Sequence, residues 1–212
     1  KMPMEAFFLL DSSYSVDAKE WTSEKAAAAA ITDAFASAYT DTTRLYVGAA
    51  QFSTATKLEL PISNDLANVK SVLTGITQAP GATYMGPAID LCVTQMQSYI
   101  MPGQTPGGSK PFQICVMITD GEATDSETVA AAKIRLDGAG MKYMGIYVGP
   151  DATSREKLRR FSCDGVKTLD HLDLSSSGAA CPNFASASDF AELRRNAAEI
   201  ARGITVGMNT TV

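Results

Sequence analysis

Two short polar motifs and one threonine carry the chemistry that this 212-residue sequence could perform. Asp11, Ser13 and Ser15 follow an apolar run at a spacing of two residues, and Asp120 follows a second apolar run. Thr83 lies between these motifs, in a loop bounded by glycines. Carboxylate and hydroxyl oxygens are the hard ligands that Mg²⁺ prefers and that Mn²⁺ also accepts. The sequence therefore predicts one Mg²⁺ site, with Mn²⁺ as the alternative ion, if the fold brings these segments together.

The charge of this donor set favours binding over catalysis. Two carboxylates and three neutral hydroxyls leave the cation under-neutralised, with a coordination position open for a further oxygen. A partner's Glu, Asp or acidic glycan group supplies both the missing charge and the missing oxygen. We therefore expect a protein or glycan partner with an acidic group, and no enzymatic activity.

His171 is the single imidazole of the chain, and a catalytic alternative would depend on it. It lies in a segment far along the sequence from Ser13, so a Ser-His-Asp arrangement would have to cross the domain. No other feature supports a hydrolase, and we predict no catalytic residue.

The motifs can meet only if the runs that precede them are strands of one sheet. Apolar or β-branched patterns predict strands over 5–10, 44–52, 56–60, 112–119 and 141–148. Helical patterns are found over 17–39, 64–75, 86–99, 126–137, 153–161 and 188–202. This alternation predicts an α/β fold, a doubly wound, mostly parallel sheet with one antiparallel edge strand and helices on both faces. Ligands of such sheets bind outside the carboxyl ends of the strands, directly after Leu10 and Thr119.

Two helix starts are predicted from capping patterns. Thr153 and Glu156 have the spacing of a capping box. Ser188 precedes the amphipathic run that forms the last predicted helix.

Composition and charge limit the classes of partner. A net charge of −5 argues against nucleic acid, which requires clustered Lys and Arg. The chain has no apolar run of 18 or more residues, so we expect no direct membrane contact by this domain. Its first residues lack a cleavable signal pattern, which indicates a piece of a longer protein.

The four cysteines leave two redox interpretations open. Cys92 and Cys115 lie in apolar stretches, whereas Cys163 and Cys181 flank a segment rich in Ser, Gly and Asp. A bridge between the second pair would restrict the unfolded chain and imply an oxidising compartment. The alternative is four buried free thiols in an intracellular protein.

Residues beside the motifs have both functional and structural interpretations. Tyr14 and Tyr84 are candidate anchors at the rim of a ligand site, or they pack on neighbouring loops. Glu122 and Asp125 either shape ligand access or place charge at a helix N-terminus.

The basic residues near the end of the chain form two groups. The functional interpretation is a heparin-like contact patch, and the favoured one is solvated helix faces paired with nearby glutamates. These residues are Arg155, Lys157, Arg159, Arg160, Arg194, Arg195 and Arg202.

The apolar strand before the first motif, the glycine-bounded Thr83 loop and the strand-terminal Asp120-Gly121 together resemble the von Willebrand factor A (integrin I-like) domain. The likeness extends from Phe7 to about Gly203. The metal-ion-dependent adhesion site of that family matches Asp11, Ser13, Ser15, Thr83 and Asp120. The resemblance implies an adhesion domain over residues 1–203, a C-terminal linker over 204–212, and a last helix whose displacement switches ligand affinity.

Two further segments are similar to the A domains of TRAP-like gliding and invasion adhesins of apicomplexan parasites. They are the segment 118–133 and the stretch from Cys163 to Phe190. This resemblance implies a disulfide between Cys163 and Cys181, with Cys92 and Cys115 buried. It also implies a secreted or cell-surface protein delivered through micronemes, for host-cell attachment, gliding or invasion. The alternative is an A domain of an extracellular matrix or intracellular scaffold protein.

Overall fold

The computed structural model describes residues 2–39, 41–101, 110–163, 181 and 183–207. Within these ranges the strands are β1 (Met4–Asp11), β2 (Leu45–Phe52), β3 (Thr56–Ser63), β4 (Phe112–Thr119), β5 (Lys142–Val148) and β6 (Phe184–Ala187). The helices are α1 (Ala18–Ala38), α2 (Leu66–Gly75), α3 (Gly86–Ser98), α4 (Ser126–Gly138), α5 (Ala152–Cys163), α6 (Phe190–Arg195) and α7 (Ala197–Gly207). A short 3₁₀ turn, Thr42–Arg44, precedes β2.

The strands form one sheet in the order β3-β2-β1-β4-β5-β6. Only the β2–β3 pair is antiparallel among the described strands, and the other pairs are parallel. The strand order reverses direction between β1 and β4, so this junction is the topological switch point at which ligands of open α/β sheets bind. The predicted fold class, a doubly wound and mostly parallel sheet with an antiparallel edge strand, is confirmed.

The central strand β1 is buried over its whole length because helices cover both faces of the sheet. Successive side chains of a strand point to opposite faces. Phe8 and Leu10 pack in a core with α1, α2, α6 and α7, whereas Phe7 and Leu9 pack in a second core with α3, α4 and α5. These two apolar layers hold the carboxyl end of β1 in a fixed position.

The outer strand β3 differs from its neighbours in regularity. It contains Pro61, and its register with β2 shifts twice, between Val47 and Ala49 and between Ala49 and Ala50. Proline cannot donate a backbone hydrogen bond, so it is tolerated at a sheet edge. The antiparallel pair runs further than predicted, to Ser63 instead of Leu60.

The predicted cap of α5 is wrong. The helix begins at Ala152, and Asp151 caps it by accepting hydrogen bonds from the backbone N–H groups of Ser154 at 2.7 Å and Thr153 at 3.4 Å. A carboxylate is a stronger acceptor than a hydroxyl and also suits the positive end of the helix dipole. Thr153 therefore lies inside the helix.

The last predicted helix is two helices, and its cap is also different. Asp189, not Ser188, caps α6 by accepting the backbone N–H of Glu192 at 2.7 Å, while the hydroxyl of Ser188 donates to the Glu192 carboxylate at 2.6 Å. Asn196 separates α6 from α7. Residues 204–207, which the family resemblance placed in a C-terminal linker, belong to α7.

None of the helices in the described ranges combines the length and apolar character that a membrane crossing needs.

Candidate metal-binding site

The ends of β1 and β4 place two carboxylates beside each other. β1 ends at Asp11, and β4 ends one residue before Asp120. The hydroxyl of Ser15 donates to Asp120 Oδ1 at 2.7 Å and lies 2.9 Å from the hydroxyl of Ser13. The backbone N–H of Ser13 in turn donates to Asp11 Oδ1 at 2.9 Å. These four residues therefore form one hydrogen-bonded cluster of oxygen atoms.

Thr83 approaches the same cluster from the loop before α3. A Cβ atom added to Gly121 would lie 3.8 Å from Ser15 Oγ and 3.9 Å from Thr83 Oγ1. Both hydroxyls therefore adjoin one point on the β4–α4 loop. All five residues predicted as metal ligands thus meet at the switch point.

The Thr83 loop is held by residues that the sequence analysis did not assign to this role. The backbone N–H of Thr124 donates to the Thr83 carbonyl at 2.8 Å. The Asp125 carboxylate accepts the backbone N–H groups of Met85 at 2.8 Å and Gly86 at 2.9 Å. Asp125 therefore stabilises the start of α3, although it occupies the N-cap position of α4.

The close approach of these two helices requires a glycine at position 86. A Cβ atom added to Gly86 would lie 2.8 Å from Asp125 Oδ2 and 2.5 Å from Thr128 Oγ1. The interpretation of Asp125 as a charge at the N-terminus of α4 describes part of its role, since Asp125 is the N-cap residue of α4 and accepts the hydroxyl of Thr128. Its carboxylate joins the Thr83 loop to the Asp120 loop.

The loop after β1, which carries Ser13 and Ser15, is held by hydrogen bonds to neighbouring loops. The N–H of Tyr14 donates to the Gly81 carbonyl at 2.9 Å, and the N–H of Tyr84 donates to the Ser53 carbonyl at 3.1 Å. The hydroxyl of Ser12 donates to the Phe52 carbonyl at 3.0 Å or the Ala79 carbonyl at 3.1 Å. These contacts place the two tyrosines on the same side of the sheet edge as the oxygen cluster.

The predicted rim residues differ in exposure and contacts. Tyr14 is 79% exposed, whereas Tyr84 is half-buried. Glu122 forms an ion pair with Lys157 at 2.7 Å and accepts the hydroxyl of Ser154 at 3.1 Å. Glu122 thereby contacts α5, and a shallow groove beside it is lined by the apolar residues Met85, Ala123 and Leu158.

Burial governs the acidity of the site. Burial raises the pKa of Asp11 to about 6, although hydrogen bonds from Ser13 and Thr119 act in the opposite direction. Burial also raises the pKa of Asp120, and it raises the pKa of Glu24, on α1, well above the usual range. Because burial makes these carboxyl groups costly to ionise, their ionised forms are stabilised by a bound cation, which supplies the opposite charge.

The chemistry of the donor set fits a hard cation. The described residues contain no group of three or more His, Cys, Asp or Glu side chains arranged to hold a metal. The cluster instead combines two carboxylates with hydroxyl oxygens, which suit Mg²⁺ or Mn²⁺ better than a thiolate-preferring metal. One further oxygen, Glu24 Oε2, is buried below this cluster without a hydrogen-bond partner.

The predicted disulfide is present. Cys163, the last residue of α5, is bonded to Cys181 with 5.8 Å between their Cα atoms. The bridge lies between α5 and β6, as the resemblance to TRAP-like domains implied. Cys92 and Cys115 are buried free thiols, so the alternative of four free thiols is excluded.

Three of the four basic residues of α5 form ion pairs with acidic residues. Lys157 pairs with Glu122, and Arg159 and Arg160 both pair with Glu156. Four other arginines of the two groups are exposed, namely Arg155, Arg194, Arg195 and Arg202. His171, on which a catalytic alternative depended, lies outside the described residues.

The fold and the oxygen cluster define a class, the doubly wound α/β domains with a hydroxyl-rich acidic site at the switch point of the sheet. Residues 6–193 match the model of the von Willebrand factor type A domain. The chain belongs to this family.

The similar curated proteins include collagen and matrilin chains. The chain is 26% identical over 144 residues to the collagen alpha-5(VI) chain of Mus musculus, covering 67% of this chain and 5% of that protein. It is 30% identical over 142 residues to the Homo sapiens collagen alpha-5(VI) chain, covering 66% and 5%. It is 25% identical over 146 residues to Mus musculus matrilin-3, covering 68% and 30%. The matched region is therefore a small part of each relative.

Solved structures of other proteins share the fold, and those of two proteins serve as examples. The proximal thread matrix protein 1 of the mussel byssus has a TM-score of 0.74 at 15% identity, covering 96% of this chain and 48% of that one, and one of its structures has a zinc-occupied MIDAS motif. The manganese-loaded TRAP protein of Plasmodium vivax has a TM-score of 0.67 at 14% identity, covering 94% and 72%. At these identities the likeness concerns the fold alone.

Proposed function

We propose that this chain is a Mg²⁺-dependent binding domain that captures an acidic group of a protein or glycan partner, and that it is not an enzyme. The observation that carries the proposal is the cluster in which Ser13, Ser15 and Asp120 join Asp11 at the carboxyl ends of β1 and β4. Family membership supports it, because the cluster lies at the switch point where such sheets bind ligands.

Each residue of the cluster has a distinct part in this proposal. Asp11 and Asp120 would supply the negative charge that holds the cation, while Ser13, Ser15 and Thr83 would supply neutral oxygens. Mg²⁺, when bound, offers an electrophilic position to an anionic oxygen. Mn²⁺ is the alternative ion, and structures that share this fold have been solved with zinc and with manganese.

The rim of the site would make the remaining contacts with the partner. Tyr14 is a large, exposed aromatic residue next to the oxygen cluster, which suits an interface anchor. Tyr84 and Glu122 would complete the rim. The groove between Glu122 and Leu158 offers an apolar surface to a side chain adjacent to the partner's acidic group.

We place the domain outside the cell or on its surface. The disulfide between Cys163 and Cys181 supports an oxidising compartment. The names of the relatives, collagen and matrilin, support a matrix setting. The net charge of −5 supports a partner other than nucleic acid.

Two roles fit such a domain, and different observations favour them. The sequence relatives favour a matrix protein that binds other proteins. The position of the disulfide between α5 and β6 favours a TRAP-like adhesin that reaches the surface through micronemes and acts in host-cell attachment, gliding or invasion. In the second role, displacement of the α6–α7 unit, which packs on α1, would switch ligand affinity.

Calorimetric titration with Mg²⁺ tests the metal assignment. The wild type should bind one ion with measurable heat, and Asp120→Ala should lose that heat. Asp33→Ala is the control, since Asp33 is a surface acid of α1 paired with Lys70. Equal heats from the wild type and Asp120→Ala would overturn the proposal.

Adhesion assays separate the two roles. The domain is applied to immobilised matrix proteins and to mammalian cells stripped of matrix, each in Mg²⁺ and in EDTA. Metal-dependent binding to purified matrix proteins alone favours the matrix role, and metal-dependent binding to cells stripped of matrix favours the adhesin.

A further inference from the structure

The backbone N–H of Asp11 donates to a side chain at the end of the β1–β4 pairing. Pairing between β1 and β4 ends at Leu10 and Ile118, one residue before Asp11. The N–H of the next residue, Ser12, donates to Phe52 of β2. Because alternate residues of a strand turn their backbone groups to opposite neighbours, the N–H of Asp11 faces β4 at the last pair of their ladder. It donates there to Glu24 Oε1 at 2.8 Å.

Glu24 is an unusual residue for its position in α1. It is fully buried, with neighbours on the same helix such as Ala27, Ala28 and Ile31 that belong to the apolar core. The helix does not need it as a cap, because Asp17 and Glu20 already form the capping box. A buried carboxyl group costs free energy unless a specific contact compensates for it. Within the described residues, the side chain of Glu24 makes one hydrogen bond, to the N–H of Asp11, and its other oxygen has none.

We propose that Glu24 is a positioning residue of the metal site, which fixes the backbone of Asp11 and thereby the direction of the Asp11 carboxylate. This inference rests on the proposed function. The role depends on the acceptor oxygen of Glu24 and not on its charge. Glutamine carries the same acceptor on a side chain of the same length and can replace it, whereas methionine has similar length but no such oxygen.

The test is Mg²⁺ affinity, measured by calorimetry on the wild type, Glu24→Gln and Glu24→Met. We expect Glu24→Gln to remain within about threefold of the wild type and Glu24→Met to bind roughly tenfold more weakly, the usual effect of removing a residue that orients a metal ligand. Glu5→Gln is the matched control. Glu5 is also a buried carboxylate, hydrogen-bonded to Gln113, and lies at the other end of β1, about 20 Å from Asp11.

The amide signal of Asp11 in ¹H–¹⁵N spectra provides a readout that general packing would not move. It should keep its position in metal-free Glu24→Gln and shift in metal-free Glu24→Met, while signals around Glu5 stay unchanged in both. Wild-type affinity in a folded Glu24→Met variant would overturn the inference. A Glu24→Gln variant that binds Mg²⁺ tenfold more weakly would also overturn it, because the loss of affinity would then come from the missing charge. If Glu24→Met does not fold, the Mg²⁺ affinity of Glu24→Gln alone tests the inference.

The two proposals fail in distinguishable ways. If the wild type shows no Mg²⁺ binding, the metal-dependent function and the role of Glu24 both fall. If the wild type binds and Asp120→Ala does not, the site stands, and only the Glu24 variants bear on the positioning role.

Discussion

Thr119 and Asp11 are joined across the β4–β1 boundary by a hydrogen bond of 2.6 Å between Thr119 Oγ1 and Asp11 Oδ2. Both residues are fully buried. The other carboxylate oxygen of Asp11 accepts the N–H of Ser13. The carboxylate is therefore held on both oxygens before any ion arrives, so little orientational entropy remains to be lost on binding.

Removing this hydroxyl should weaken the site. Thr119→Val keeps the shape of the side chain and leaves Asp11 Oδ2 without its donor, so we expect roughly tenfold weaker Mg²⁺ binding. The free energy of unfolding should fall by roughly 1 kcal/mol. Thr119→Ser restores the hydroxyl and should recover most of the affinity. Thr32→Val is the control, because Thr32 is a buried threonine of α1 that bonds to its own helix. An unchanged Mg²⁺ affinity in Thr119→Val would refute this role.

Asp125 should matter for both stability and metal binding. Asp125→Ala removes the acceptor of two backbone N–H groups at the start of α3, and we expect a loss of about 1–2 kcal/mol in urea unfolding. Because the same loop carries Thr83, Mg²⁺ affinity should fall as well. Asp33→Ala, which breaks an ion pair between the exposed side chains of Asp33 and Lys70, should lower the free energy of unfolding by less than about 0.5 kcal/mol. If the two variants lose similar free energies of unfolding, the stabilising contact of Asp125 with the start of α3 is contradicted.

The Glu156 ion pairs should make stability depend on acid pH. Hydrogen bonds from Arg159, with a further contribution from Arg160, lower the pKa of Glu156 to about 2. A pKa below the unfolded value of about 4.3 means that the stabilisation is fully present above that pH and is lost as the pH falls towards 2. Since the Glu156 carboxylate is partly exposed, we expect its ion pairs to contribute about 1 kcal/mol to the free energy of unfolding. In urea unfolding, the free energy of unfolding should change less between pH 5.5 and pH 2.5 in Glu156→Gln than in the wild type. Equal changes in the two proteins would contradict the stabilising role of the Glu156 ion pairs.

The disulfide should stabilise the fold without acting on the metal site. Replacing Cys163 and Cys181 by serine opens a loop of 18 residues, which corresponds to about 3 kcal/mol in the chain-entropy model. Cys163 lies at the opposite end of α5 from Ser154, which contacts Glu122. The double variant should therefore unfold at lower temperature in scanning calorimetry and bind Mg²⁺ like the wild type. A large loss of Mg²⁺ affinity at a temperature where the variant is folded would show that the bridge reaches the site.

The sequence pattern located the main strands because their burial is continuous. The prediction for β4, residues 112–119, agrees with the structure to the residue, since its apolar run is ended by Asp120. The five oxygen donors were found because each follows a strand or lies in a short glycine-bounded loop. The strand β6 was not assigned from the pattern, because its four residues, Phe-Ala-Ser-Ala, have no periodicity that separates a strand from a loop.

The residues that hold the donors could not be predicted, for physical reasons that differ between them. The helix α1 is rich in alanine on several faces, so its pattern does not show that Glu24 points inward. Asp125 has the sequence signature of an N-cap, yet its partners are about 40 residues earlier in the chain, at the start of α3. Contacts of this kind depend on how helices meet in space, which local spacing does not encode.

Pro61 and the irregular register of β3 have a consequence for molecules at high local concentration. An outer strand with a continuous row of free backbone donors can pair with the same strand of a second molecule and so start an aggregate. In this domain a proline removes one donor from that row, Lys57 and Glu59 add charges to it, and the register shifts distort it. Densely arrayed copies of the domain are thereby discouraged from joining sheet to sheet, and their contacts are left to the loops at the ends of β1 and β4.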